Sequence, residues 1–224
     1  MQLLSTRLDF VHTSATAKIH NLILKRQNAG ESIINLSVGE SDFDTPRNIQ
    51  AAAKRAISNG QTRYTSTDGL DQLKGAILNK YLIENSLKYE KKELIVAAGG
   101  KQVIFNALIA TLNLNDEVII PSPYWVSYPD IVKLCSGTPV IIPTSIRNGF
   151  KIRAKQLEKS ITSHTKWLIL NSPANPSGSV YTEEELTAIC KVLDDFPHVN
   201  IISDDIYEHI IFDGLTFKNI VQIN

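Results

Sequence analysis

Residues 166–178, KWLILNSPANPSG, constrain this chain more than any other stretch. Four apolar residues, 167–170, run together and stop at Asn171. A run so short and so apolar suits a strand buried on both faces, as in parallel sheets. The Asn, Ser, Pro and Gly residues that follow, up to Gly178, turn the chain out of the sheet. Residues 200–207, NIISDDIY, repeat the design: Ile201 and Ile202 are the run, and Ser203, Asp204 and Asp205 end it. In open α/β sheets ligands sit outside the carboxyl ends of the strands. These two strand ends therefore offer one crevice an amide (Asn175), a carboxylate (Asp204) and a phenol (Tyr207).

The rest of the chain alternates in the same way. Short apolar runs predict strands at 33–36, 93–98, 117–121 and 139–142. Helical spacing or capping signals predict helices around 19–23, from Thr45 as N-cap with Pro46 at the first helical position to Gly60, at 70–85, 102–112, 128–135 and 156–161, and from the Thr182–Glu185 capping box to 195. Strands alternating with helices mean an α/β fold, a mostly parallel sheet flanked by helices. With 224 residues, 43% of them hydrophobic, the chain can bury a sizeable core. Lys plus Arg (23) balances Asp plus Glu (23), which gives no case for nucleic acid or an acidic membrane surface. No transmembrane run or signal-peptide core is present, and two cysteines, Cys135 and Cys190, make no disulfide framework; a cytoplasmic protein is expected. No metal site is expected from the scattered histidines and cysteines.

Four further places could carry chemistry. Gly99, Gly100 and Lys101 stand between a predicted strand and a helix, where free backbone N–H groups and the helix dipole favour an anion. The pattern is neither a Walker loop nor G-x-G-x-x-G. Trp125, in PSPYWVSY, leaves a strand's carboxyl end and can lie flat on a heteroaromatic ring or pack in the core. Gly39 and Tyr64 read locally as a turn glycine and a packing tyrosine. Asp204 alone reads equally as the N-cap of a turn at 205–207.

Taken together, Ser172-Pro173-Ala174-Asn175-Pro176-Ser177-Gly178 and Ser203-Asp204-Asp205-Ile206-Tyr207 resemble the N-P-x-N-P-[ST]-G and S-D-E-x-Y signatures of fold-type-I pyridoxal-phosphate (PLP) enzymes, specifically class I aminotransferases. The resemblance runs from about Ser14 to about Asp213 and is strongest to the bacterial aspartate aminotransferase subgroup that includes aspartate/prephenate enzymes. It implies residues 1–45 as an N-terminal segment of the small domain or lid, and 46–224 as a PLP-binding large domain that is incomplete in this chain. It implies PLP as cofactor, held by Gly100, Lys101, Trp125, Asn175, Asp204 and Tyr207, with Tyr64 reaching the partner subunit's cofactor phosphate in a homodimer. Gly39, Trp125 and Asn175 would contact the amino-acid or 2-oxo-acid substrate. Asp204 would keep the pyridine nitrogen protonated, because an opposite charge favours the charged form.

The family's Schiff-base lysine lies in an S-x-[SA]-K context that does not occur here. No catalytic lysine is therefore assigned, and Lys218, the only lysine after Asp204, reads as a surface residue. The expected activity is amino-group transfer between L-aspartate and 2-oxoglutarate, this chain being the N-terminal portion of the enzyme. A non-catalytic truncated fragment, or a carbon–sulfur lyase of the same fold, remains open. The subgroup has lysine where His12 aligns, which leaves prephenate use open too. Strands expected to insert between those near Ile95 and Ile201 would be missing, leaving the sheet incomplete.

Overall fold

The computed structural model describes residues 3–11, 15–37, 39 and 41–223. His12 and Ser14, used above, lie outside them. The chain divides into two compact units, Thr13–Leu70 and Met1–His12 together with Asp71–Asn224. The first holds helices α1 (Ala15–Asn28) and α2 (Arg47–Ser58). Helix α2 buries none of its residues. Its N-cap is Pro46, without a side-chain capping bond, so the expectation for Thr45 is off by one position. Residues 33–36 form no strand.

The second unit carries the sheet. In chain order it holds α3 (Asp71–Asn85), α4 (Gly100–Thr111), β1 (Glu117–Ser122), α5 (Ser127–Leu134), β2 (Thr138–Pro143), α6 (Ala154–Ser160), β3 (Thr165–Asn171), α7 (Glu183–Asp194) and β4 (Asn200–Asp204). The four strands lie in the order β2-β1-β3-β4, all parallel.

Alternation along β1 and β3 divides the core in two. Val118, Ile120 and Ile169 pack with Ile104 and Leu108 of α4 and with Tyr128, Ile131 and Val132 of α5. Ile119, Leu168 and Leu170 pack on the other face with Leu157 of α6 and with Leu186 and Ile189 of α7. Side chains alternate across a strand, so a continuous apolar run covers both faces at once. Gly137 admits the chain between α5 and β2: a Cβ there would stand 2.8 Å from Leu112 Cδ1.

Polar ties gather at the amino ends of the strands. The Glu117 carboxylate accepts from the hydroxyls of Thr162 (2.6 Å) and Thr165 (3.1 Å). Lys166 pairs with Asp116 at 3.0 Å, and the Asn200 amide donates to the Lys166 carbonyl at 3.2 Å.

The strand expected at 93–98 is not formed. Residues 91–93 make one 3-10 turn, 94–98 join no ladder, and Ile95 is 73% exposed. An apolar run becomes a strand only where another strand satisfies its N–H and C=O groups, and no described strand lies beside it. β4 is likewise an edge, paired only with β3. The parallel sheet is thus present but partial. No helix among the described residues is long and apolar enough to cross a membrane.

Candidate active site

At the carboxyl ends of β1, β3 and β4 lies a pocket of about 350 Å³, within the range of small-ligand sites. All six residues expected there from the sequence line it: Gly100, Lys101, Trp125, Asn175, Asp204 and Tyr207. Gly99, Tyr128, Asn171 and Ile206 complete the wall.

One end is the start of α4. Gly99, its N-cap, has φ +91°, a conformation that glycine adopts without strain. The first helical bonds run from the N–H groups of Gln102 and Val103 to the Gly99 carbonyl, at 3.1 and 3.2 Å. The N–H groups of Gly100 and Lys101 precede those bonds. A Cβ on Gly99 or Gly100 would meet nothing within 4 Å, so the space beside this backbone is open. The Lys101 ammonium stands 5.1 Å from the centre of the Trp125 ring. Backbone donors, helix dipole and ammonium together suit a phosphate or another anion.

The other end is the turn after β4. Asp204 and Asp205 are neighbours with opposite surroundings. Asp204 faces the pocket: one carboxylate oxygen accepts from the Tyr128 hydroxyl at 2.6 Å, and the other meets the Ile206 N–H at a long 3.4 Å. Local capping alone thus accounts weakly for Asp204. Asp205 turns away, accepting from the Ser203 hydroxyl (2.6 Å) and the Asn219 amide. Burial lifts its carboxyl above the ordinary carboxylate range.

Asn171 and Tyr128 went unseen in the sequence. The Asn171 amide donates to the Asp204 carbonyl at 2.8 Å, and its oxygen accepts from the Asn175 N–H at 2.7 Å. One side chain thereby fixes the ends of β3 and β4 against each other. Tyr128 packs edge-on to Trp125, with centroids 5.3 Å apart and planes at 85°. Its phenol is pushed well above its ordinary value, first by burial and then by the Asp204 charge.

Other candidates stand elsewhere. Lys218 pairs with Glu183 on the first turn of α7 at 3.4 Å and is not part of the pocket wall. Gly39 and Tyr64 belong to the first unit, where both are exposed. Ligand atoms of Glu84, Glu208 and His209 lie within 4.8 Å of one another, but the Lys80 ammonium already pairs with both carboxylates.

The donor set suits PLP. Helix N-terminus, indole, amide, carboxylate and phenol match its phosphate, ring face, phenolic oxygen and pyridine nitrogen, and the open space beside Gly99 and Gly100 leaves room for the phosphate.

Comparison with known proteins agrees. The sequence model of the family "Aminotransferase class I and II" matches residues 31–224. The chain is 52% identical to the aspartate/prephenate aminotransferase of Cereibacter sphaeroides, covering 100% of itself and 56% of that protein. It is 44% identical to the aspartate aminotransferase of Rhizobium meliloti, covering 98% of itself and 53% of the relative. Among solved structures, the aspartate aminotransferase from Rhizobium meliloti superposes with a TM-score of 0.95 at 43% identity, over 100% of this chain and 56% of that one. That from Thermus thermophilus with maleate gives 0.95 at 37% identity, over 100% and 58%. The chain spans about half the length of the relatives it matches. By sequence and by fold it belongs to the aminotransferase class I and II family.

Proposed function

We propose that the chain is the N-terminal portion of a PLP-dependent aminotransferase acting on L-aspartate and 2-oxoglutarate. The convergence of the α4 N-terminus, Trp125, Asn175, Asp204 and Tyr207 on one pocket carries this reading. PLP, when bound, supplies the electron sink for the carbanion formed at the amino acid's α carbon. The chain's residues supply grip and charge. Gly100 and Lys101 hold the phosphate through backbone N–H groups, and the Lys101 ammonium adds a positive charge. Trp125 covers the ring face. Asn175 and Tyr207 hold the phenolic oxygen by hydrogen bonds. Asp204 keeps a proton on the pyridine nitrogen. The imine-forming lysine has no assigned position here.

Aspartate as substrate is supported by the names of the relatives and by the maleate, a dicarboxylate, bound to the Thermus protein. The names also favour transamination over carbon–sulfur lysis. The reading includes a homodimer, with Tyr64 at the partner's phosphate site and Gly39 at the substrate carboxylate. It also includes a lid segment at 1–45, a cofactor domain from 46 onward and a cytoplasmic location, which the free thiols of Cys135 and Cys190 suit.

Titrating the protein with PLP and following its absorption is the test. Saturable binding that Asp204→Ala weakens supports the site; binding indifferent to Asp204 sinks it. Full activity in a monomer would remove the dimer from the reading.

A further inference from the structure

Asp204 ends an edge strand, and the chain turns immediately after it. Its own turn holds it only by the long contact with the Ile206 N–H. A carboxylate so loosely tied can rotate. What fixes it is Tyr128, on the first turn of α5, 76 positions away in sequence. Tyr128 is 2% exposed and belongs to the buried cluster that holds Ile104, Leu108 and Ile169, so its side chain has little freedom. The same ring meets the Trp125 indole edge-on.

We propose that Tyr128 is a positioning residue: through one hydrogen bond and one ring contact it sets the Asp204 carboxylate and the Trp125 indole in fixed relation to each other. The proposal rests on the PLP reading above. In that reading the indole covers the face of the cofactor ring and the carboxylate meets its nitrogen edge. Both must be in place for the ring to be held with its nitrogen charged. A phenol buried beside a carboxylate stays protonated through the neutral range, so it remains a donor and Asp204 an acceptor.

The experiment is a double-substitution cycle in the full-length protein with Tyr128→Phe and Asp204→Asn, reading the PLP dissociation constant. A crystal structure of cofactor-free Tyr128→Phe provides the second measurement. Tyr128→Phe removes one oxygen and keeps the ring, and a melting curve checks the fold. The expected result is PLP binding weakened about tenfold by Tyr128→Phe, the scale of one hydrogen bond to a charged group. Little further loss should follow once Asp204 is Asn, and the Asp204 carboxylate should rotate from its present orientation in the crystal. Wild-type PLP affinity in Tyr128→Phe, equal weakening in the Asp204→Asn background, or an unmoved carboxylate would each overturn the proposal. If instead Asp204→Asn binds PLP as the wild type does, the PLP reading of the pocket fails, and the crystal structure still decides whether Tyr128 orients Asp204.

Discussion

Asp204 and Asp205 share a backbone turn and divide two tasks. Asp205 is a structural acceptor for Ser203 and Asn219, while Asp204 faces the pocket. In the full-length protein, Asp204→Ala should lower the transamination rate by about 10²–10³-fold, the usual loss on removing a preorganised electrostatic group. Far-UV circular dichroism should not change, and near-normal turnover would refute the role. Two buried tyrosines make a second prediction. Burial raises the Tyr128 phenol, and it lifts the Tyr181 phenol to about 12 while the Ile152 N–H partly offsets the rise. Each is protonated in the folded state at a pH where the unfolded chain, titrating near ~10, has begun to ionise. Their contribution is therefore complete below about pH 10 and is lost as pH rises through the folded values. Denaturant midpoints should fall steeply above about pH 10, and Tyr181→Phe should flatten that fall. The pocket residues could be found from local motifs because each stands where a run of apolar residues breaks. Tyr128 and Asn171 could not. Tyr128 shares helical spacing with Ile131 and Val132 and looks like core, and its bond to Asp204 exists only in space.

At the scale of elements, α7 shows how much capping a sequence can reveal. The Thr182 hydroxyl accepts from the Glu185 N–H at 3.3 Å, and the Glu185 carboxylate accepts from the Thr182 N–H at 2.9 Å. The same carboxylate pairs with Lys151 at 2.6 Å, tying α7 to the segment before α6. Thr182→Ala should cost about 1 kcal/mol of stability, measured by chemical denaturation. Glu185→Ala should cost more, since it removes the cap and the ion pair together. An unchanged midpoint for both would show the box to be ornamental. Capping was legible because all its atoms lie within four residues. The strand expected at 93–98 failed for the opposite reason. Its residues have the right composition, but a ladder is a property of two segments, and the second is not beside it. The run at 33–36 failed likewise.

For the whole molecule, the partial sheet has a solution consequence. Ile34, Leu36, Phe43, Ile95 and Phe212 are all largely exposed, and β4 presents an unpaired edge. Exposed apolar side chains and open ladder groups each invite association. Residues 1–224 expressed alone should therefore sediment as more than a monomer at micromolar concentration. Ile95→Lys should reduce that association without loss of helical signal, since Ile95 supports no described strand. A monodisperse monomer would contradict the prediction. The alternation of strands and helices made the architecture readable, because buried parallel strands need apolar runs of just this length. Where the sheet stops was harder to read, since edge and interior strands have the same composition here.

The polar ties at the strands' amino ends acquire a meaning from the two-sided core. In a sheet with one wet face, slipping a strand by one residue throws its apolar side chains into water, and the slip is forbidden. β1 and β3 are apolar on both faces, so a slip would merely exchange one greasy surface for another. Hydrophobicity cannot choose the register. Glu117 with Thr162 and Thr165, Lys166 with Asp116, and Asn200 with the Lys166 carbonyl can. They work as index pins, and a slip of one residue moves a strand by about 3.3 Å. At the far ends of the same strands, that distance is more than the length of a hydrogen bond. The alignment of Asn175 with Asp204 at one end of the sheet therefore rests on Asn200 and the Lys166 carbonyl at the other, as well as on Asn171 between the strand ends.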